Sequence, residues 1–341
     1  MTSYKKKDVN TENKIDFVIA WVDGSDKAWQ EKMAEYGHGK NEQFRDWNFL
    51  PYLLKSMERY APFVHRIFLV TDHQDPDCLS DAGREKYCLS NDFAKKIKVI
   101  YHEEFIPQKY LPTFNSHTIE LNFHRIPGLS EQFVYFNDDV LLTGPCTPEN
   151  FFRDGMPVDC GCLNAINGKD PVFAGIQFHN MALIDEHYDI GAVRSHLWKW
   201  LNPIYGKLNI RTLLLLPFQR LQGIYNPHGP LALKKNTYEK LWKRDGDILN
   251  QTCLCKFRKE SNVSVYVMRY EQLLSGKFVP GRIKNRYLEV TYPLKRIATA
   301  FDQTGTVCIN DTDMDDMEYQ KKKKQLQHLL KEKYYRHQNK S

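Results

Sequence analysis

The segment Phe133-Val134-Tyr135-Phe136-Asn137-Asp138-Asp139-Val140 constrains this chain more than any other. An unbroken apolar, aromatic and β-branched run reads as a strand buried on both faces, as in a parallel sheet covered by helices. The two carboxylates that follow stand at its C-terminal end, where α/β enzymes gather their chemistry. Aspartates at such an edge suit a hard divalent cation, because Mg²⁺ or Mn²⁺ is held by one or two carboxylates and leaves its other positions to water and substrate phosphates. A strand entering any polar turn looks similar, so the motif needs company.

Other strands supply it. Ile15 to Val22 reads as a first strand closed by the turn dipeptide Asp23-Gly24, and Ile67 to Val70 as a second, followed by Thr71-Asp72. Ile97 to Tyr101 is a third. Between the first two, apolar residues at helical spacing predict a helix capped by Asp46 and running through Arg59, with Pro62 just past its end. Pro112 to Arg125 predicts another helix, capped by Asn115 or Ser116. Its residues Ser116, Glu120 and His124 share one stripe, either a site wall or a solvated face. Strands alternating with helices predict an α/β fold with a mostly parallel sheet flanked by helices.

After Asp159 the pattern turns helical, with helices expected around 192–201, 210–221 and 231–244 and a helical insertion over about 180–260. Asn226-Pro227-His228-Gly229-Pro230 is a rigid loop that holds a histidine between prolines. Segments 264–268 and 306–309 read as strands, the latter ending in Asn310-Asp311, an echo of Asn137-Asp138. The expected organisation is a polar arm over 1–13, one elaborated catalytic domain over 14–317 and a basic tail over 318–341.

The 341 residues carry a net charge of +6, and much of the excess sits in Lys5 to Lys7 and in Lys321 to Lys324, Lys331, Lys333, Arg336 and Lys340. Such ends are solvated helices or contacts for anionic lipid or glycan. No zinc finger, RNP motif or basic zipper accompanies them, so nucleic acid is not an expected partner. No apolar run approaches the roughly 18 residues that span a bilayer. Met1 to Lys14 has no apolar signal core, and the expected location is the cytoplasm, at the inner face of the plasma membrane if the tail binds lipid. The eight cysteines are then expected to be free thiols. Cys160-x-Cys162 and Cys253-x-Cys255 are spaced too tightly for the usual structural zinc site. The Asn-x-Ser/Thr triplets at Asn250, Asn262 and Asn310 are read as local structure.

The blocks together resemble the Stealth family of sugar-phosphate transferases, which includes bacterial capsular polysaccharide phosphotransferases. Ile15 to Asp26 is similar to the first block, and Phe44-Arg45-Asp46 through Tyr60-Ala61-Pro62 to Thr71-Asp72 to the second. Leu111 to His117 with Glu120, then His124 to Ser130 and Asn137-Asp138-Asp139, resemble the third, and Cys308 to Thr312 the fourth. Lys27-Ala28 and Asn48-Phe49 depart from the family's usual wording.

The resemblance implies a GT-A-like nucleotide-diphosphosugar fold. It also implies transfer of sugar-1-phosphate from a UDP-sugar, UDP-N-acetylglucosamine among them, to a hydroxyl of a glycan or lipid-linked oligosaccharide, with release of UMP. On this footing Asp139 and Asp311 are the expected ligands of Mg²⁺ or Mn²⁺. Glu120, His228, Arg258 and Asp138 are the expected catalytic group, and Asp23, Gly24, Asn115 and Arg125 the nucleotide-side residues. Two alternatives remain open from the sequence: a metal-dependent glycosyltransferase that releases UDP, and a non-catalytic protein that binds glycan or a membrane surface.

Overall fold

The computed structural model describes residues 14–37, 44–303 and 305–335. The polar arm over 1–13, and Arg336 and Lys340 of the tail, lie outside these described residues.

Five strands form the central sheet in the order β3-β2-β1-β4-β8. β1 (Ile15–Ala20), β2 (Ile67–Thr71), β3 (Ile97–Tyr101) and β4 (Gln132–Asn137) are mutually parallel. All five residues of β2 are buried, as its unbroken apolar run requires, whereas in β3, at the edge, only Ile100 is fully buried. β8 (Leu231–Lys234) closes the other side, antiparallel to β4. Residues 231–244 therefore do not form one helix. Leu231 to Leu233 are taken by the sheet edge, where they face Tyr135 to Phe133, and the helix starts at Lys235. The expected helical insertion is thus interrupted by a strand of the main sheet.

β5 (Val140–Leu142) leaves β4 through the Asp138-Asp139 turn and enters a second sheet of order β10-β11-β5. In it β10 (Asn285–Glu289) runs parallel to β11 (Thr306–Asn310), and β11 runs antiparallel to β5. A small third sheet joins β6 (Phe152–Arg153), β7 (Met156–Asp159) and β9 (Val279–Pro280).

One core lies between the central sheet and the helix Leu50–Tyr60, whose Leu53, Leu54 and Met57 are fully buried. That helix starts at Leu50 with Pro51 in its first turn, so Asp46 is not its cap. A second core covers the opposite sheet face. A third holds together the helices Pro171–Asp185, Ile190–Ser195 and Leu197–Trp200 around Met181, Ile184, Val193 and Trp200.

Residues 264–268 form no strand: Ser264 and Val265 lead into the helix Tyr266–Leu274, which holds the rest. Nearly every residue of this helix is buried, and its short apolar start, Tyr266 to Met268, carries no periodicity to separate helix from strand. The chain's basic end also differs from expectation. Asp316–Tyr335 is one helix whose Leu326, Leu329, Leu330 and Tyr334 pack into the first core, with Tyr334 Oη donating to Leu142 O at 2.7 Å. This helix is part of the first hydrophobic core.

Candidate active site

The two acidic turns meet. Cys308 on β11 pairs with Val140 on β5, which places Asp139 alongside the end of β11. Ile309 N donates to Asp139 O at 3.0 Å and Cys308 Sγ to Asp139 Oδ2 at 3.2 Å. Asp311 follows two residues on, its Oδ1 accepting from Thr312 N at 2.7 Å. Asp138, Asp139 and Asp311 all line one cavity of about 550 Å³ at the carboxyl edge of the central sheet.

The facing wall is built on the helix Ser116–Leu121. Asn115 caps it, accepting from His117 N at 3.1 Å. The Asn115 amide also donates to Asn262 Oδ1 and Cys255 O, and these bonds hold the loop that carries Arg258. Arg258 Nη2 then donates to Ser116 Oγ at 2.7 Å, and Glu120 Oε1 accepts from Tyr135 Oη at 3.1 Å. Glu120 and Arg258 thereby face the same cavity as the three aspartates.

Burial sets the electrostatics. It pushes Glu120 up to about 7, against the pull of the Arg258 charge. It also raises Asp138 to about 8, helped by the charges of Asp139 and Asp46. Asp139 is raised to about 6 by burial, with the Cys308 thiol opposing. Carboxylates this crowded favour a cation or a proton among them.

A third wall comes from the second sequence block. Arg45, Asp46 and Trp47 line the cavity, and burial raises the Asp46 carboxyl. Their segment lies directly on the Asp23-Gly24 turn: a Cβ on Gly24 would stand 1.8 Å from Phe44 O, so only glycine permits this approach. From outside, Tyr319 Oη donates to Asp46 O at 2.6 Å, as does the Lys323 ammonium. Arg45 Nη2 donates to Met314 O at 2.6 Å.

Six cavity-lining residues carry a buried polar atom without a hydrogen-bond partner: Trp21 Nε1, Arg45 Nη1, Trp47 Nε1, His102 Nδ1, Asp139 Oδ1 and Thr312 Oγ1. Unsatisfied buried groups cost about 1–3 kcal/mol each, and their concentration around one cavity marks a site for a polar ligand. Sequence reasoning named only Asp139 among them. Arg45 stands inside the quoted second block, but nothing in its spacing distinguishes it from a surface arginine.

The remaining expected residues fall outside the lining. His228 packs its ring against Tyr287, with centroids 4.7 Å apart, and against Phe173. Burial lowers its pKa. Tyr287 pairs with Cys308, so the His228 loop flanks Asp139 from behind β11. Asn115 is fully buried and its amide is used within the fold. Arg125 bonds Asn122 and covers the Trp242 ring. Asp23 accepts from Ser25 at the turn, and Gly24 supplies the close approach to Phe44. His124 leaves the Ser116-Glu120 stripe, because the helix ends at Leu121, and lies against Tyr238 and Trp242.

Among the described residues no three His, Cys, Asp or Glu side chains form a ready metal cage. Mg²⁺ needs only one or two carboxylates, and Asp139 with its unpaired Oδ1, together with Asp311 on the same cavity, fits that requirement. All eight cysteines are free, with Cys160 and Cys162 in one cluster and Cys253 in another.

The family model of Stealth protein conserved region 1 matches residues 13–41, and that of conserved region 2 matches residues 43–158. An exopolysaccharide phosphotransferase, cps2G of Lactiplantibacillus plantarum, is 35% identical, covering 94% of this chain and 94% of its own. This chain belongs to the Stealth family. The receptor polysaccharide phosphotransferase WefC of Streptococcus gordonii is 36% identical over 80% of this chain and 81% of its own. The capsular polysaccharide phosphotransferase WcwK of Streptococcus pneumoniae is 31% identical over 89% and 90%. Like these Stealth relatives, the chain is a transferase. Among solved structures, the galactosyltransferase LgtC with donor and acceptor sugar analogs covers 92% of this chain and 95% of its own at 13% identity and a TM-score of 0.41. Mouse xyloside xylosyltransferase 1 covers 87% and 97% at 12% identity and a TM-score of 0.37.

Proposed function

We propose that this Stealth transferase moves a sugar-1-phosphate from a UDP-sugar to a hydroxyl of a glycan acceptor in capsular or other cell-surface polysaccharide synthesis, at the cytoplasmic face of the membrane. The relatives' names support phosphotransfer onto polysaccharide. The observation that carries the reading is the ring of unpaired donors around acidic strand ends. Trp21, Arg45, Trp47 and Thr312 offer hydrogens to a ligand rich in acceptor oxygens, as a nucleotide diphosphate sugar is.

The acceptor oxygen bonds to the sugar-bearing phosphorus, and that phosphorus loses its bond to the bridging oxygen, which leaves with UMP. Glu120 takes the hydroxyl proton. Its buried carboxyl, raised to about 7, holds and releases a proton near neutrality. Arg258, anchored on Ser116, stabilises charge on the transferred phosphate, and Arg45 faces the diphosphate from the third wall. Asp139 and Asp311 would hold Mg²⁺ or Mn²⁺, whose chemistry is to neutralise diphosphate charge. Asp138 orients Asp139 from the same turn. His228, behind β11, positions rather than touches the reacting group.

Incubation with a panel of UDP-sugars, Mg²⁺ or Mn²⁺ and glycan acceptors tests this. Release of UMP with a phosphodiester phosphorus signal is the expected result. Release of UDP instead would identify a glycosyltransferase, because the bond broken would then be at the anomeric carbon.

A further inference from the structure

We propose that the outer face of the helical subdomain, centred on the helix Leu208–Leu215, seats this enzyme on an anionic lipid bilayer. The helix is amphipathic in the reverse of the usual sense for a globular protein. Its one buried residue is the polar Thr212, whose Oγ1 accepts from Leu163 N at 3.1 Å inside the subdomain. Leu208 and Leu215 pack inward, but three of its apolar residues point outward, with Ile210 58%, Leu213 54% and Leu214 69% exposed. These lie at i, i+3 and i+4 and form one stripe, and Phe218, 51% exposed, follows just past the end of the helix. Trp198, 65% exposed, and Ile204 add to the apolar surface of the same subdomain. Arg194 Nη2, donating to Leu216 O at 2.8 Å, ties the neighbouring helix to the end of this one. An apolar stripe this dense is beyond what a monomer scatters on its surface.

Charge selects the occupant. The chain has 42 Asp and Glu, yet none falls between Ile190 and Tyr238, while Arg194, Lys207 and Arg211 do and are exposed; Lys199 is buried on the carbonyls of Gly276 and Phe278, and Arg220 faces the Asp185 carboxylate. Lys207 and Arg211, both exposed, stand one turn apart beside the leucine stripe. Cations flanking outward leucines with an indole nearby match a surface with an apolar interior and negative headgroups. A second copy of the chain would bring two cationic faces together, and nucleic acid would leave the leucines in water. The subdomain also reaches the back of the site, since Phe173 of the helix Pro171–Asp185 packs on the ring of His228, behind β11. Docking through this face would hold a lipid-borne acceptor near the cavity. That last step rests on the phosphotransfer reading, but the docking itself does not.

The test is co-sedimentation with phosphatidylcholine vesicles, with and without phosphatidylglycerol, alongside UMP release on a water-soluble acceptor. The wild-type protein should bind the anionic vesicles. The double variant Leu213→Ser/Leu214→Ser should lower that binding about tenfold or more. Lys207→Glu should lower it about fivefold. Lys321→Gln/Lys324→Gln, on the C-terminal helix, should leave binding unchanged, and all variants should release UMP from the soluble acceptor at the wild-type rate. If the leucine variant melts early, Lys207→Glu, an exposed change, decides the matter. Wild-type protein indifferent to anionic lipid overturns the proposal. So does undiminished binding by Lys207→Glu or by a folded leucine variant, or a stripe whose loss only splits a dimer in light scattering. Loss of UMP release with vesicle binding intact would count against the phosphotransfer reading alone.

Discussion

Cys308 Sγ donates to Asp139 Oδ2 at 3.2 Å, joining the end of β11 to the turn after β4. Burial raises the thiol's own pKa, so it keeps its hydrogen and remains a donor. The bond favours ionised Asp139 and restrains the rise that burial imposes.

Cys308→Ala should therefore raise the Asp139 pKa and let protons compete with a divalent ion. The Mn²⁺ concentration for half-maximal activity should rise about fivefold at pH 6.5 and little at pH 8.5, with Cys308→Ser restoring most of the loss. An equal effect at both pH values would assign the bond a packing role only.

Asp138 is raised to about 8, whereas in the unfolded chain it ionises near 4. Between those values the native state holds a proton that the unfolded state has released, so stability falls as pH rises through this window. Asp138→Asn removes the penalty. It should raise the melting temperature at pH 8.5 by an amount equivalent to roughly 1–3 kcal/mol, vanishing by pH 4, while turnover drops at least about a hundredfold.

Glu120 follows the same sign over a narrower range, because its carboxyl is raised to about 7 from an ordinary value near 4.5. Glu120→Gln should be the more stable protein above pH 7 and indistinguishable from wild type below about pH 4.5. As the proton acceptor, Glu120 should also give wild-type kcat an acid limb near pH 7 that the variant lacks. A limb of unchanged midpoint in Glu120→Gln would move the base elsewhere.

Arg45 reaches the cavity with one guanidinium nitrogen unpaired and the other bound to Met314 O. Arg45→Lys keeps charge but cannot span both positions. KM for the UDP-sugar should rise about tenfold with kcat changed less, and titration calorimetry with UDP should report the same loss.

Gly24→Ala places a methyl 1.8 Å from Phe44 O, and the backbone on both sides resists displacement. Thermal unfolding should register a loss of roughly 2 kcal/mol or more. UDP-sugar affinity should fall with it, because Phe44 is joined to Arg45 and Asp46.

Parts of the site were legible for a simple reason. Asp139 and Asp311 each end an apolar β run, and such runs announce themselves by composition alone. Glu120 came from the family resemblance, because its stripe with Ser116 fits a site wall and a solvated face equally well. Arg45, Trp21, Trp47 and His102 were not legible, since they enter the cavity from separate elements and no local period links them. The strand at Leu231 and the helix at Tyr266 were misread for one reason: in short, fully buried segments hydrophobicity is uniform and periodicity vanishes.

Hydrophobic patterning by itself determined the α/β class, the mostly parallel character of the sheet and the acidic ends of β4 and β11, because these follow from local composition and the pleat. Which acids share a cavity was decided only by the tertiary structure, through β5 crossing into the second sheet and pairing with β11. The same holds for the C-terminal helix, whose lysines read as a solvated tail while Leu326, Leu329, Leu330 and Tyr334 bury against the first core. Contact between residues far apart along the chain is a property of packing, and no short window of sequence contains it.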